Sequence, residues 1–234
     1  MTKSITRSAE NFRARPELAG CQFHLYSPNS SDRERVTAYI AEKYKQVHKA
    51  HLHEFLPILI QITRDQSPLA AFGLQPGQYC PLFLEQYLNQ PVEQYVSKIA
   101  GGPIDRYSLM EIGNLVITNP VYGPLLLVVL ASSLAKANYK WMVFTATKQV
   151  ERLVRGMGFD PHYLVSADPS RLVDEQANWG TYYNNNPGVM VGNTGKAVEL
   201  ISENPFLKNL ADQHRETINQ VSLAISNYRR ISKG

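Results

Sequence analysis

Cysteine is nearly missing from this sequence: Cys21 and Cys80 are the only two, with no CxxC pair and no His/Cys spacing suited to zinc. That excludes a disulfide framework and a structural metal, and it suits a reducing compartment. Long hydrophobic runs are also missing, since the longest, "PLLLVVLA", falls far short of the ~20 residues a helix needs to cross a bilayer. The opening "MTKSITRSAENFRARPELAG" holds no apolar stretch of a secretory signal, so the expected location is cytoplasmic. Charge of one sign is scarce: 24 Lys and Arg against 20 Asp and Glu leave a net charge of +4. Much of the excess sits toward the ends, at Arg7, Arg13, Arg15, Arg33, Arg35, Arg229 and Arg230, so no stripe points to nucleic acid. There is no Gly-x-Ser-x-Gly elbow, neither cysteine has an adjacent histidine, and "GNTGK" (192 to 196) lacks P-loop spacing. Hydrolase and nucleoside triphosphatase readings fall away.

What is present is an ordinary globular composition, 44% hydrophobic and 19% charged over 234 residues, enough for one large domain or a domain with a tail. The chain divides into an N-terminal arm (1–20), a main domain (21–178) and a C-terminal extension (179–234). Strands are expected at 21–27, 55–65, 68–77, 108–118, 140–147 and 162–168, the second and third joined as a hairpin by Asp65-Gln66-Ser67-Pro68. Helices are expected behind the Ser and Asp caps before Val36, Ile40, Tyr44 and Val47, around Val92 to Ile99, over 123–138, and in "KQVERLVRGMGF". This order means an α/β or α+β fold with a mixed sheet, antiparallel early and parallel around 108–118 and 140–147. The extension reads as an aromatic loop and one amphipathic helix carrying Leu207, Leu210, His214, Ile218, Val221 and Ile225 on one face.

Chemistry is most legible in "YSLMEIGNLVITNPVYGPLLLVVLA" (107 to 131). In a regular strand Glu111 and Asn114 point to opposite faces. A bulge at Gly113 turns both to one side, frees backbone groups and splays the strand from its neighbour at 141–147. Glu111, its pKa raised by burial, is then a candidate base for an amine; the plain alternative is an ion pair with Arg106. "NPVYGPL" opens a helix with Gly123 and Pro124, whose free N–H groups suit a phosphate; a simple strand-to-helix turn is the alternative. Thr145 and Thr147 are candidates to line the slot, or ordinary β-branched strand positions, and Glu85 and Tyr87 of "LFLEQYL" to reach substrate, with a surface helix face the equal alternative for Glu85. Trp179, Tyr182 and Tyr183 can cover a lipid-like chain or pack on the sheet. His48, His51 and His53 lack a completing carboxylate or cysteine and read as a solvated helix end, so no metal is expected.

Taken in order, "LFLEQYL", "PVE" (91 to 93), "MEIGNLV" (110 to 116), "KWMVFTAT" (140 to 147), "ADPSRL" (167 to 172) and "WGTYY" (179 to 183) resemble the GNAT acyltransferase superfamily and, within it, the thermostable hemolysin family. Glu111 and Asn114 sit like the Glu-x-x-Arg of acyl-homoserine-lactone synthases, with Asn114 in place of the arginine. "NPVYGPL" keeps one glycine where acetyl-CoA-dependent members show two.

The resemblance implies a GNAT-like fold with splayed central strands. It implies transfer of a medium or long acyl group from an acyl carrier protein or acyl-CoA to the amino group of a small acceptor such as an amino acid. The co-substrate is an acyl-phosphopantetheine thioester, and no permanently bound cofactor is expected. Glu111 would accept the amine proton and Asn114 orient the nucleophile. Leu115, Val116, Ile117 and Thr145 would hold pantetheine, with Tyr122, Gly123, Pro124 and Leu125 at its phosphate. Glu85, Tyr87, Trp179 and Tyr183 would meet the acceptor or acyl chain. Lys136, Lys140, Lys148, Arg152 and Arg155 would dock an acidic carrier. The rival expectations are a membrane-active, hemolysin-like protein working through the helix at 205–229, with peripheral membrane contact, and a GNAT-shaped binding module without catalysis.

Overall fold

The structure, a computed structural model, describes residues 16–79, 81–172 and 178–231. Cys80 and most of the expected arm lie outside the described residues. A seven-stranded sheet runs in the order β1-β2-β3-β4-β5-β7-β6. Its strands are β1 (Gln22–Tyr26), β2 (Ile58–Arg64), β3 (Ser67–Pro76), β4 (Leu109–Ile117), β5 (Trp141–Ala146), β6 (His162–Ser166) and β7 (Gly188–Asn193). The β4–β5 pair is parallel and every other pair antiparallel. The helices are α1 (Arg33–His48), α2 (Val92–Ala100), α3 (Gly123–Lys136), α4 (Lys148–Gly156), α5 (Thr194–Glu203), α6 (Pro205–Gln213) and α7 (Arg215–Ile231).

Local chemistry explains these elements. Asp65 and Gln66, at φ of 50° and 61°, give the two-residue hairpin turn whose twist matches its strands. Along β2, alternation sends Ile58, Ile60 and Ile62 to one face and Leu59 to the other. The first face packs on α3, α5, α6 and α7. The second packs on α1 at one end of the sheet, and at the other on α2 and the 3-10 helix Phe83–Tyr87. Thr147 accepts a hydrogen bond from Val150 N to start α4, and Asn193 one from Lys196 N to start α5.

Two expectations change. Residues 188–193, assigned from sequence to a C-terminal extension, form β7, an interior strand between β5 and β6. The turn-rich, glycine-containing "NNNPGVMVGNTG" hides a strand buried along Gly188 to Val191, whose short apolar run shows no alternation. The single amphipathic helix is instead α6 and α7, divided at His214, and its apolar face is buried. Leu207, Leu210, Ile218, Val221 and Ile225 pack in the core with α3, and Ser133 Oγ donates to Ile218 O at 3.3 Å. An apolar face already covered by the protein is not available to a membrane. Among the described residues no helix is long and apolar enough to cross one.

Candidate active site

The ladder between β4 and β5 runs from Leu109–Trp141 to Ile112–Phe144 and stops there, although both strands continue. Beyond that point the strands part. On its other side β4 carries a bulge: Gly73 faces Gly113 and Ala71 faces Val116, so Asn114 and Leu115 together oppose Phe72. The extra residue changes the alternation. Leu109 packs on the α2 face, and Val116, an odd number of residues on, packs on the same side with Leu59, Ala71 and α1.

The left-handed residue of the bulge is Asn114, at φ 49°, and not Gly113, where the sequence placed it. Asn114 Oδ1 accepts a hydrogen bond from Leu56 N at 2.8 Å. Gly113 and its partner Gly73 have a different role, because they make room for Leu56. A Cβ on Gly73 would lie 2.8 Å from Leu56 Cβ, and one on Gly113 2.9 Å from Leu56 Cδ1. From behind, Arg33 holds the Leu56 and Pro57 carbonyls at 2.7 and 2.8 Å, fixing the loop that carries Leu56. Asn114→Ala should therefore cost about 2 kcal/mol in urea denaturation, through left-handed strain plus an unpaired Leu56 N–H. Asn114→Gly, free of the strain, should cost less.

Glu111 is 3% exposed. It makes no ion pair with Arg106. Its Oε2 accepts from Phe83 N and its Oε1 from Leu84 N, both at 2.9 Å, at the start of the 3-10 helix Phe83–Tyr87. Burial pushes its pKa up, the two N–H groups pull it down, and the balance lies at about 7. Glu111 can thus exchange a proton near neutrality, and each oxygen keeps a second lone pair.

Glu111 and Asn114 line one cavity of about 1560 Å³, larger than most small-molecule pockets. Its wall includes residues of both sheet faces. On the α1 side stand Tyr44, Phe83, Tyr87, Trp179 and Tyr182; on the α3 side Leu126, Leu130, Ala131, Phe144, Leu153 and Leu200. Leu115, Val116, Ile117, Thr145 and Thr147 lie between them. Thr145 Oγ1 is buried with no hydrogen-bond partner among the described residues, as expected of a group that meets a ligand.

Other expected residues fall elsewhere. Glu85 does not line the cavity: Arg106 Nη1 and Nη2 donate to its two oxygens at 2.8 and 2.6 Å, while Leu82 N and Val92 N donate at 2.8 and 2.9 Å. Burial raises its pKa, but these donors outweigh burial and leave it below the ordinary value. Tyr183 stands behind the wall, its hydroxyl 2.5 Å from that of Tyr87.

Tyr122, Gly123, Pro124 and Leu125 are buried and also off the cavity wall. A 3-10 turn, Pro120–Tyr122, leads directly into α3. Gly123 N donates to Pro120 O, Pro124 has no N–H, and Leu153 covers Gly123, so no open phosphate cradle forms there. The basic residues do not form one patch either. Lys136 and Lys140 precede β5, whereas Lys148, Arg152 and Arg155 follow it, at the sheet's other end. Of the latter group Lys148 pairs with Glu151, and Arg155 with Glu151 and Asp160. Among the described residues no three His, Cys, Asp or Glu side chains gather as metal ligands; His48, His51 and His53 line the cavity's α1 rim.

Sequence reasoning missed the Phe83 and Leu84 amides, the Leu56 loop and the apolar wall from α3 to α5. Backbone donors and long-range packing leave no residue-type signature. Only the apolar run of α3 hinted at the last.

Solved structures share this fold. FeeM, an N-acyl amino acid synthase from uncultured soil microbes, superposes with a TM-score of 0.53 at 10% identity, over 80% of this chain and 97% of that one. The acyl-homoserine-lactone synthase LasI gives 0.52 at 10%, over 74% and 90%. BjaI, a CoA-dependent acyl-homoserine lactone synthase solved with SAM and isopentyl-CoA, gives 0.52 at 11%, over 83% and 89%. At such identities the likeness is one of fold, and the fold is the GNAT-like one. No curated protein matches the sequence. The family described as thermostable hemolysin matches residues 26–198, a span holding β2 to β7, the bulge, Glu111 and the whole α1-side wall; the chain belongs to that family.

Proposed function

We propose that the protein is an N-acyltransferase, moving a medium or long acyl group from a phosphopantetheine thioester, on acyl carrier protein or CoA, to the amine of a small acceptor such as an amino acid. One observation carries the reading. A single cavity runs through the sheet where β4 and β5 part, with a carboxylate poised near neutrality on one side and an apolar chamber on the other.

The chemistry follows from that geometry. The thioester arm lies in the slot along Leu115 to Ile117, where β4 has left β5 and its backbone groups can meet the amides of pantetheine. Thr145 Oγ1 supplies a further hydrogen bond. The acyl chain fills the chamber walled by Leu126, Leu130, Ala131 and Leu200, where burying each methylene is worth about 0.8 kcal/mol. The acceptor enters from the α1 side. Its neutral nitrogen attacks the carbonyl carbon, Glu111 takes the proton it sheds, and collapse of the tetrahedral intermediate breaks the C–S bond and releases the thiolate, which then takes up a proton. Asn114, its Oδ1 fixed by Leu56 N, offers the acceptor its two Nδ2 donors. The buried tail of α6 and α7 disfavours direct lysis by this chain.

Thiol release with acyl-CoA and acyl carrier protein donors of increasing length, against amino acids and simple amines, tests the reading. Turnover that rises with chain length up to a limit is expected. Donor binding without turnover on any acceptor would reduce the protein to a binding module.

A further inference from the structure

We propose that Glu85 is a positioning residue for Glu111, acting through the 3-10 helix Phe83–Tyr87; this rests on Glu111 being the base. A 3-10 helix of five residues is not stable alone, so its orientation comes from outside. Here it is gripped at both ends. At the start, Glu85 accepts from Leu82 N and Val92 N, tying the helix to the first turn of α2, and is itself held on both oxygens by Arg106. Arg106 is fixed in turn by Glu93 at 2.5 Å and by Gly77 O at 2.5 Å. At the end, Arg171 donates to Gln86 O and Leu88 O at 2.9 and 2.8 Å.

What this grip presents is a pair of N–H groups, Phe83 and Leu84, on the two oxygens of Glu111. Without them burial and the nearby Glu85 charge would push the carboxyl up against only the lesser pull of Arg106, and the base would be protonated at working pH. Glu85 thus reaches the chemistry without touching substrate. "LFLEQYL", "PVE" and "ADPSRL" become parts of one device that sets the ionisation of the glutamate in "MEIGNLV".

Two effects of Glu85 on Glu111 have opposite signs, which makes the proposal decidable. As a neighbouring negative charge Glu85 raises the Glu111 pKa; as the anchor of the two N–H groups it lowers it. The test follows Glu111 by carboxyl carbon-13 NMR titration of the full chain, its resonance assigned with Glu111→Gln, alongside the pH dependence of kcat/KM. In Glu85→Ala the midpoint should rise by about one pH unit, the loss of roughly one charge-assisted hydrogen bond, and the acid limb of kcat/KM should move with it. A midpoint that falls or stays in place shows that the anchoring of the two N–H groups does not outweigh the neighbouring charge; either overturns the proposal. Glu85→Gln keeps the side chain's size but has one oxygen for two backbone donors. It should show the same upward sign and serves if the alanine variant does not fold. The titration needs no turnover, so full activity in Glu111→Gln would sink the base assignment while the midpoint still tests the grip.

Discussion

Glu111→Gln is expected to lower kcat/KM for acyl transfer by about 100- to 10,000-fold, the usual worth of a positioned base. The wild-type protein should lose about tenfold per pH unit below about 7, as the carboxylate takes up a proton. The same residue sets a pH dependence of stability. The folded pKa of about 7 lies above the ordinary 4.5, so below 4.5 both states are protonated and the contribution is fully present. As pH rises from 4.5 to 7 the unfolded chain releases a proton that the folded one keeps, and the contribution is lost. That gap is worth about 3 kcal/mol. Urea melts of wild type and Glu111→Gln should therefore differ progressively: the wild-type advantage at pH 4.5 shrinks by about that amount by pH 8. A difference that does not change with pH would mean that Glu111 ionises normally.

Arg106→Met should be the most damaging single change outside the cavity. Arg106, Glu85 and Glu93 have side chains 14%, 12% and 26% exposed, and the guanidinium is the cation that both carboxylates face. Replacing it with an apolar chain of similar length leaves two shielded carboxylates close together, costing about 3 kcal/mol or more in the unfolding free energy at pH 7. The loss should shrink at acid pH, where Glu85, no longer held down by the guanidinium, takes up a proton. A variant with wild-type stability at pH 7 would show that solvent already screens these charges.

The sheet up to β6 and helices α1 to α4 were legible because alternation, caps and turn residues all agreed there, as in the Ile58–Ile60–Ile62 stripe and the Asp65–Gln66 turn. Glu111 stood out as an acid in a strand that was otherwise apolar. The bulge was inferred from Gly113, yet the asparagine beside it takes the left-handed backbone, since asparagine tolerates that region and glycine was needed to clear Leu56. β7 was missed because a strand buried on both faces shows no period of two. The residues expected at the phosphate lie off the cavity wall, because a proline at a helix start fits an anion site and a closed 3-10 entry equally well. Glu85 was read as facing substrate because sequence does not show which carboxylate an arginine will choose.

The position of β7 also governs how the chain matures. The strand that covers the edge of β5 is made more than forty residues after it, and α3, apolar on most sides, is enclosed only when α5, α6 and α7 follow. During synthesis the slot-bearing half is therefore complete in sequence while an unpaired strand edge and an oily helix are still open to solvent. Trimming the chain before Gly188 would not yield a smaller stable domain. It would yield a sticky intermediate, and soluble expression should depend on the last quarter of the sequence even though Glu111 and the slot lie upstream.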